Sequence, residues 1–246
     1  MDKLENNSHK TNDIELIRQA MQQQCLGAAP IAKPGHRDNQ KRLELQKNVM
    51  EKKKAFEVGY DFCIKEIEGR SIDGSFVSGD DIPAISVEAL KINDNASKKI
   101  SGMDFWESYV EHPTKIQFLM NYSNDMLLSI YELAGIFYHN KQHQEAIKIY
   151  KFLCLLNPFI PSFWIGLGLS LEDDMQLPEA IEAYETASQL APSNFTPYLG
   201  LIRCSELLND FTKIVEQLKK ALNSADLKED AQVALEYLST KAKVGD

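Results

Sequence analysis

Two stretches decide how this chain folds. The first is Ile130-Tyr-Glu-Leu133-Ala134-Gly-Ile-Phe137, continued by Glu145-Ala146-Ile147-Lys-Ile149-Tyr150 and Pro158. The second is Trp164-Ile-Gly-Leu167-Gly168-Leu-Ser-Leu171, continued by Glu179-Ala180-Ile181-Glu-Ala183-Tyr184 and Pro192. They superpose at a 34-residue spacing: 130 on 164, 133 on 167, 146 on 180, 150 on 184, 158 on 192. Large residues three and four apart form a stripe that one helix turns toward its partner. Small Ala146, Ala180, Ala134 and Gly168 let the two helices approach closely. Pro158 and Pro192 end the second helix and turn the chain into the next pair.

This pattern resembles the tetratricopeptide repeat, in which Trp-x2-Leu-Gly-x2-Tyr, then Ala-x3-Phe, then Pro recur every 34 residues. A third, degenerate unit keeps the period: Tyr198, Leu201, Ile202 and Ser205 on its first helix, Ile214, Leu218 and Ala221 on its second, with Asp226 where Pro is expected. Residues 225–242 form one more amphipathic helix, read as the polar-faced cap that such a stack requires. The fold class is all-α: a helix-pair superhelix of three repeats (about 127–160, 161–194 and 195–226) plus a capping helix (227–243), preceded by a helical N-terminal region.

Outward from the repeats the signal weakens. Residues 101–120 are helical, with Pro113 as a break. Residues 69–96 hold turn formers and short apolar pairs, a loop or a short hairpin. Lys41 to Glu68 is a long helix whose N-terminal half is basic (Lys41, Arg42, Lys47, Lys52, Lys53, Lys54). It is either a solvated face or a surface for a partner helix, and no sustained heptad is visible. A weak helical pattern at 13–25 and a Gly- and Pro-bearing linker at 27–35 complete the sequence. The expected division is a partly disordered N-terminal extension at 1–100 and a repeat domain at 101–246.

The 246 residues carry a net charge of -9 with pI about 5.2, which argues against nucleic acid and against an anionic membrane surface as partners. Four cysteines without Cys-x2-Cys spacing read as free thiols in a reducing compartment. The run from Phe152 to Leu171 has no charge and is long enough to span a bilayer. Asn157, Pro158, Pro161 and Ser162 at its centre make it two short helices and a turn instead. The N-terminus lacks the apolar core of a signal peptide, so the expected location is the cytoplasm.

The segment Phe152-Leu-Cys-Leu-Leu-Asn-Pro158-Phe followed by Phe163-Trp-Ile-Gly-Leu-Gly168 resembles the first-to-second repeat junction of the class II chaperones of type III secretion, the SycD/LcrH group. Upstream, Phe105-Trp-Glu-Ser-Tyr109 and Tyr122-Ser-Asn-Asp125 resemble the helices that precede the repeats there. The resemblance covers about residues 101–243 and leaves residues 1–100 without a counterpart. It implies a bacterial cytoplasmic holdase that keeps a hydrophobic translocator-type client soluble, with the client extended in a concave groove lined by the first helices. It also implies a homodimer as one oligomeric state. The groove positions would be Leu128, Tyr131, Gly135 and Tyr138 in repeat one, Ile165, Leu169 and Glu172 in repeat two, and Leu199 and Arg203 in repeat three. Each of these could equally serve packing between repeats. An alternative is a scaffold or adaptor that assembles a complex without a holdase role.

Other chemistry finds little support in the residues. His139 and His143 are four apart, as metal ligands can be, but Asn140-Lys-Gln between them is a turn. Tyr131, Gly135 and Gly166 stand where a carboxylate clamp would need Lys and Asn. There is no Gly-x-Ser-x-Gly, no phosphate-binding Gly-rich loop and no His-Glu-x2-His. The expectation is a non-enzymatic protein without metal, cofactor, nucleic acid partner or membrane insertion.

Overall fold

The computed structural model describes residues 39–70, 75–76, 85–221 and 226–244. The helical pattern read at 13–25 and the linker at 27–35 lie outside the described residues. Among the described residues the chain is all-α apart from one antiparallel pair of two-residue strands, and it divides into two compact units, residues 1–160 and 161–246.

The described part of the first unit begins with the long helix α1 (Asn39–Arg70). The strand pair β1 (Ser75–Phe76) and β2 (Ile85–Ser86) follows, and then four short helices: α2 (Val87–Leu90), α3 (Asp94–Ser101), α4 (Met103–Glu111) and α5 (Ile116–Leu119). The first repeat pair closes the unit: α6 (Asn124–His139) and α7 (His143–Leu156). Side-chain oxygens of Asn93 and Ser123 accept from the Ala96 and Met126 amides and start α3 and α6.

Helix α1 is built into this unit, packed along α7 and α4. Its buried residues Val49, Phe56 and Cys63 fall seven apart, joined by Ile67 and Gly59. A Cβ on Gly59 would lie 2.4 Å from the Phe152 Cβ and 2.9 Å from the Lys148 carbonyl oxygen, so the two helices meet backbone to backbone. Around this crossing, Phe56 lies 5.2 Å from Phe152 and 5.5 Å from Trp106, ring centre to ring centre. Phe62 reaches Phe137 of α6 at 5.4 Å, and Lys148 lies over the Phe62 ring. Buried polar side chains around this crossing find partners. Trp106 donates to the Ile100 carbonyl, Tyr109 to that of Leu155 and Tyr122 to that of Leu90. The buried Asn157 and Gln117 side chains bond each other at 2.6 Å.

The second unit contains two repeat pairs and a last helix: α8 (Pro161–Asp173) with α9 (Leu177–Leu190), α10 (Thr196–Leu208) with α11 (Thr212–Ala221), and α12 (Lys228–Val244). Its tightest feature is Tyr184 of α9, fully buried between two glycines. A Cβ on Gly168 would stand 2.6 Å from the Tyr184 ring, and one on Gly200 would stand 2.4 Å from it. One aromatic ring thus replaces two side chains and draws α8 and α10 onto α9.

The turn within each pair is the same in all three repeats. Lys141, Met175 and Asn209 adopt left-handed φ values of 63°, 62° and 52°, and they stand 34 residues apart. The next residue's amide returns to a carbonyl five residues earlier: Gln142 to Phe137, Gln176 to Leu171, Asp210 to Ser205. This closure satisfies carbonyls that the end of a helix would otherwise leave bare. It holds in the third repeat even though Ile214 and Asp226 depart from the consensus.

Candidate peptide-binding face

The side chains expected to receive a peptide divide between the two units. In the first unit, Tyr131, Gly135 and Tyr138 share one face of α6, at spacings of four and three residues. All three are part-exposed. Tyr131 rests edge-on to Tyr150 at 5.7 Å, and Tyr138 stands against His143 at 5.6 Å. Nothing lies within 4 Å of where a Gly135 Cβ would be, so a notch opens between two aromatic side chains.

Leu128 does not belong to this face. It is 0% exposed, in a run of five consecutive buried residues from Met126 to Ile130. That stretch of α6 is enclosed on every side, and a helical wheel based on periodicity alone assigns it an outer face that it lacks.

In the second unit, Ile165 and Leu169 are part-exposed on α8, and Leu199 is 45% exposed on α10. Glu172 and Arg203 meet. The guanidinium donates from Nε to Oε1 at 2.6 Å and from Nη2 to Oε2 at 2.7 Å, a two-pronged ion pair that ties α8 to α10. The Tyr184 hydroxyl, at the top of the ring held by the two glycines, donates to the same Oε2 at 2.7 Å. Burial and the adjoining carboxylate push the Tyr184 hydroxyl's pKa well up, and the bond to Glu172 keeps Arg203 charged. Two of the expected binding residues are therefore engaged with each other, and the face at this point is polar.

The terminal helix differs from the polar-faced cap read from the sequence. Leu227, Ala231, Ala234 and Leu238 are buried, but Val233 is 62% exposed and Tyr237 43% exposed. The Tyr237 hydroxyl donates to Glu206 of α10 at 2.5 Å.

The turn histidines stand at helix ends, His139 exposed and His143 partly covered. Among the described residues, no three His, Cys, Asp or Glu side chains gather as a metal site, and no helix is long and apolar enough to cross a membrane. The charge-free run at 152–171 is broken between Leu156 and Pro161. Cys63, Cys154 and Cys204 are buried free thiols; burial raises all three, Cys204 to about 12, so they stay protonated.

Known proteins give these faces a context. No family model matches the chain. The chaperone protein SicA of Salmonella typhimurium is 24% identical over 154 residues, which cover 61% of this chain and 93% of SicA. The chain is similar to the class II chaperones of type III secretion. The low calcium response locus protein H of Yersinia pestis is 31% identical over 78 residues, 32% of this chain and 46% of that protein. Among solved structures, the type III secretion translocator chaperone SycD of Yersinia enterocolitica aligns with TM-score 0.44 at 21% identity, over 52% of this chain and 98% of SycD.

Proposed function

We propose that the chain is a bacterial cytoplasmic type III secretion chaperone. It keeps a hydrophobic translocator-type client soluble by holding an extended segment on the first helices of its repeats. The similarity to SicA along 93% of that chaperone's length carries this reading. The part-exposed side chains on α6, α8 and α10 suit it chemically. Tyr131, Gly135 and Tyr138 offer an aromatic face with room between the rings, and Ile165, Leu169 and Leu199 offer aliphatic surface. Arg203 and Glu172 supply polar groups beside that surface, as apolar binding sites commonly have. The reading assigns no catalysis and no cofactor, and it admits a homodimer.

Co-expression with a membrane-inserting secreted protein of the same bacterium tests it. Client recovered in the soluble fraction only with this chain present is the expected result. The Leu169→Glu variant should fold normally and lose capture, because it sets a charge where an apolar contact is needed. A client that stays insoluble beside the wild-type chain would remove the holdase role and leave the adaptor reading.

A further inference from the structure

Helix α12 repeats the geometry of the first helices. Counting in 34-residue steps, Ile165, Leu199 and Val233 occupy one position on α8, α10 and α12, and Leu169, Arg203 and Tyr237 occupy the next. Glu172 and Glu206 fill a third position on α8 and α10. The bonds between helices obey the same register. Arg203 donates to Glu172, 31 residues earlier, and Tyr237 donates to Glu206, also 31 residues earlier. A cap that only shields the end of a stack has no reason to reproduce this bond, nor to turn Val233 and Tyr237 outward while burying four smaller or neighbouring apolar side chains.

We infer that α12 is the first helix of an unpaired fourth repeat, and that Val233 and Tyr237 extend the peptide-binding face of the second unit. This rests on the proposed chaperone reading and deepens it. The occupant is an extended apolar segment flanked by basic residues. Ile165, Leu169, Leu199 and Val233 supply the apolar contacts. The carboxylates of Glu172 and Glu206 outnumber the one guanidinium on these positions, and acidic residues outnumber basic ones two to one from 161 to 246. A client segment with acidic flanks would meet like charge.

The test uses the full chain and fluorescence anisotropy with two labelled peptides of alternating Leu and Ser, one ending in Lys at both termini and one in Glu. The Lys-ended peptide should bind roughly tenfold more tightly at low salt, and the preference should shrink as salt rises. The double variant Val233→Asn/Tyr237→Ala changes no charge and alters exposed side chains, so circular dichroism should show it folded. It should lose roughly tenfold in affinity, the size expected for removing two contacts of a binding face. Leu169→Asn serves as the reference within the face. If Leu169→Asn weakens binding and the α12 variant does not, the face ends at α10 and the inference fails while the chaperone reading stands. If the wild-type chain prefers the Glu-ended peptide or binds neither, the assigned occupant is wrong. If Leu169→Glu also retains client capture, binding lies off this face altogether, whereas a client that stays insoluble beside the wild-type chain removes the chaperone reading itself.

Discussion

The two units are each drawn together at glycine, but by different means. In the first, Gly59 lets α1 meet α7 against the Cβ of Phe152 and the backbone of Lys148, and a cluster of rings fills the space around the crossing. In the second, Gly168 and Gly200 close on a single ring, Tyr184, whose hydroxyl anchors the Glu172–Arg203 pair. One seam is backbone against backbone with apolar filling. The other is a ring clamped between two helices. The first should depend on its aromatic filling, and the second on the absence of side chains.

The largest effect should come from the filling. Phe56→Ala removes a fully enclosed ring that touches Trp106, Phe152 and Tyr60, and should cost about 3–5 kcal/mol. Urea unfolding followed by circular dichroism measures this. A loss under about 1 kcal/mol would mean that α1 is not held by this cluster.

The glycines sharpen the contrast. Gly59→Ala and Gly200→Ala should each cost about 1–3 kcal/mol by overpacking, against the small gain alanine normally brings to a helix. Their backgrounds should separate them. Tyr184→Ala removes the ring that opposes Gly200, so Gly200→Ala should become nearly harmless in that background. Phe152→Ala leaves the Cβ and the Lys148 carbonyl in place, so Gly59→Ala should stay costly there. A double-mutant cycle at each seam reads the difference, and equal couplings would refute the distinction.

The same two seams show what was legible in the sequence. The Tyr184 seam was half visible, since Gly168 and Tyr184 recur in register with Ala134 and Tyr150, and a period exposes its own packing positions. Gly200 stands 34 residues after Gly166, but the period alone does not tell that it faces the same ring as Gly168. The Gly59 seam had no period to reveal it. Its seven-residue buried series, Val49, Phe56 and Cys63, is interleaved with Lys52, Gly59 and Glu66, which read as polar or small and mask a heptad. A helix that packs once against one partner leaves no repeated mark. On the candidate face, periodicity placed Tyr131, Gly135, Tyr138, Ile165, Leu169 and Leu199 on part-exposed positions. It failed at Leu128, because burial depends on neighbours that a single helix cannot report.

The turn at Asn140-Lys-Gln is legible in the sequence, but its left-handed residue is not, because Lys141 and Met175 carry none of the usual marks of that conformation. Met175 is 65% exposed, so its side chain contributes little packing. A residue other than glycine costs roughly 1–2 kcal/mol in this conformation. Part of that is returned as unfolded-chain entropy when glycine replaces it. Met175→Gly should therefore gain about 1 kcal/mol in urea unfolding. Asn209→Gly should gain less, since asparagine tolerates the same φ. An equal gain at both sites would show that the side chain's own tolerance is not what sets the cost.

The smallest effect belongs to the glycine that no side chain opposes. Gly135 lies inside α6 with nothing near its missing Cβ, so Gly135→Ala should stabilise by about 0.5–1 kcal/mol, the reverse of Gly59 and Gly200. If the notch between Tyr131 and Tyr138 receives part of a client, a larger residue should separate stability from binding. Gly135→Phe should leave the melting temperature near that of the wild type, because its ring can project into open space, and yet reduce recovery of soluble client in co-expression. Full recovery with Gly135→Phe would mean that the notch is a packing relic and that binding lies on other residues. A fall in melting temperature with Gly135→Ala would contradict the open space itself.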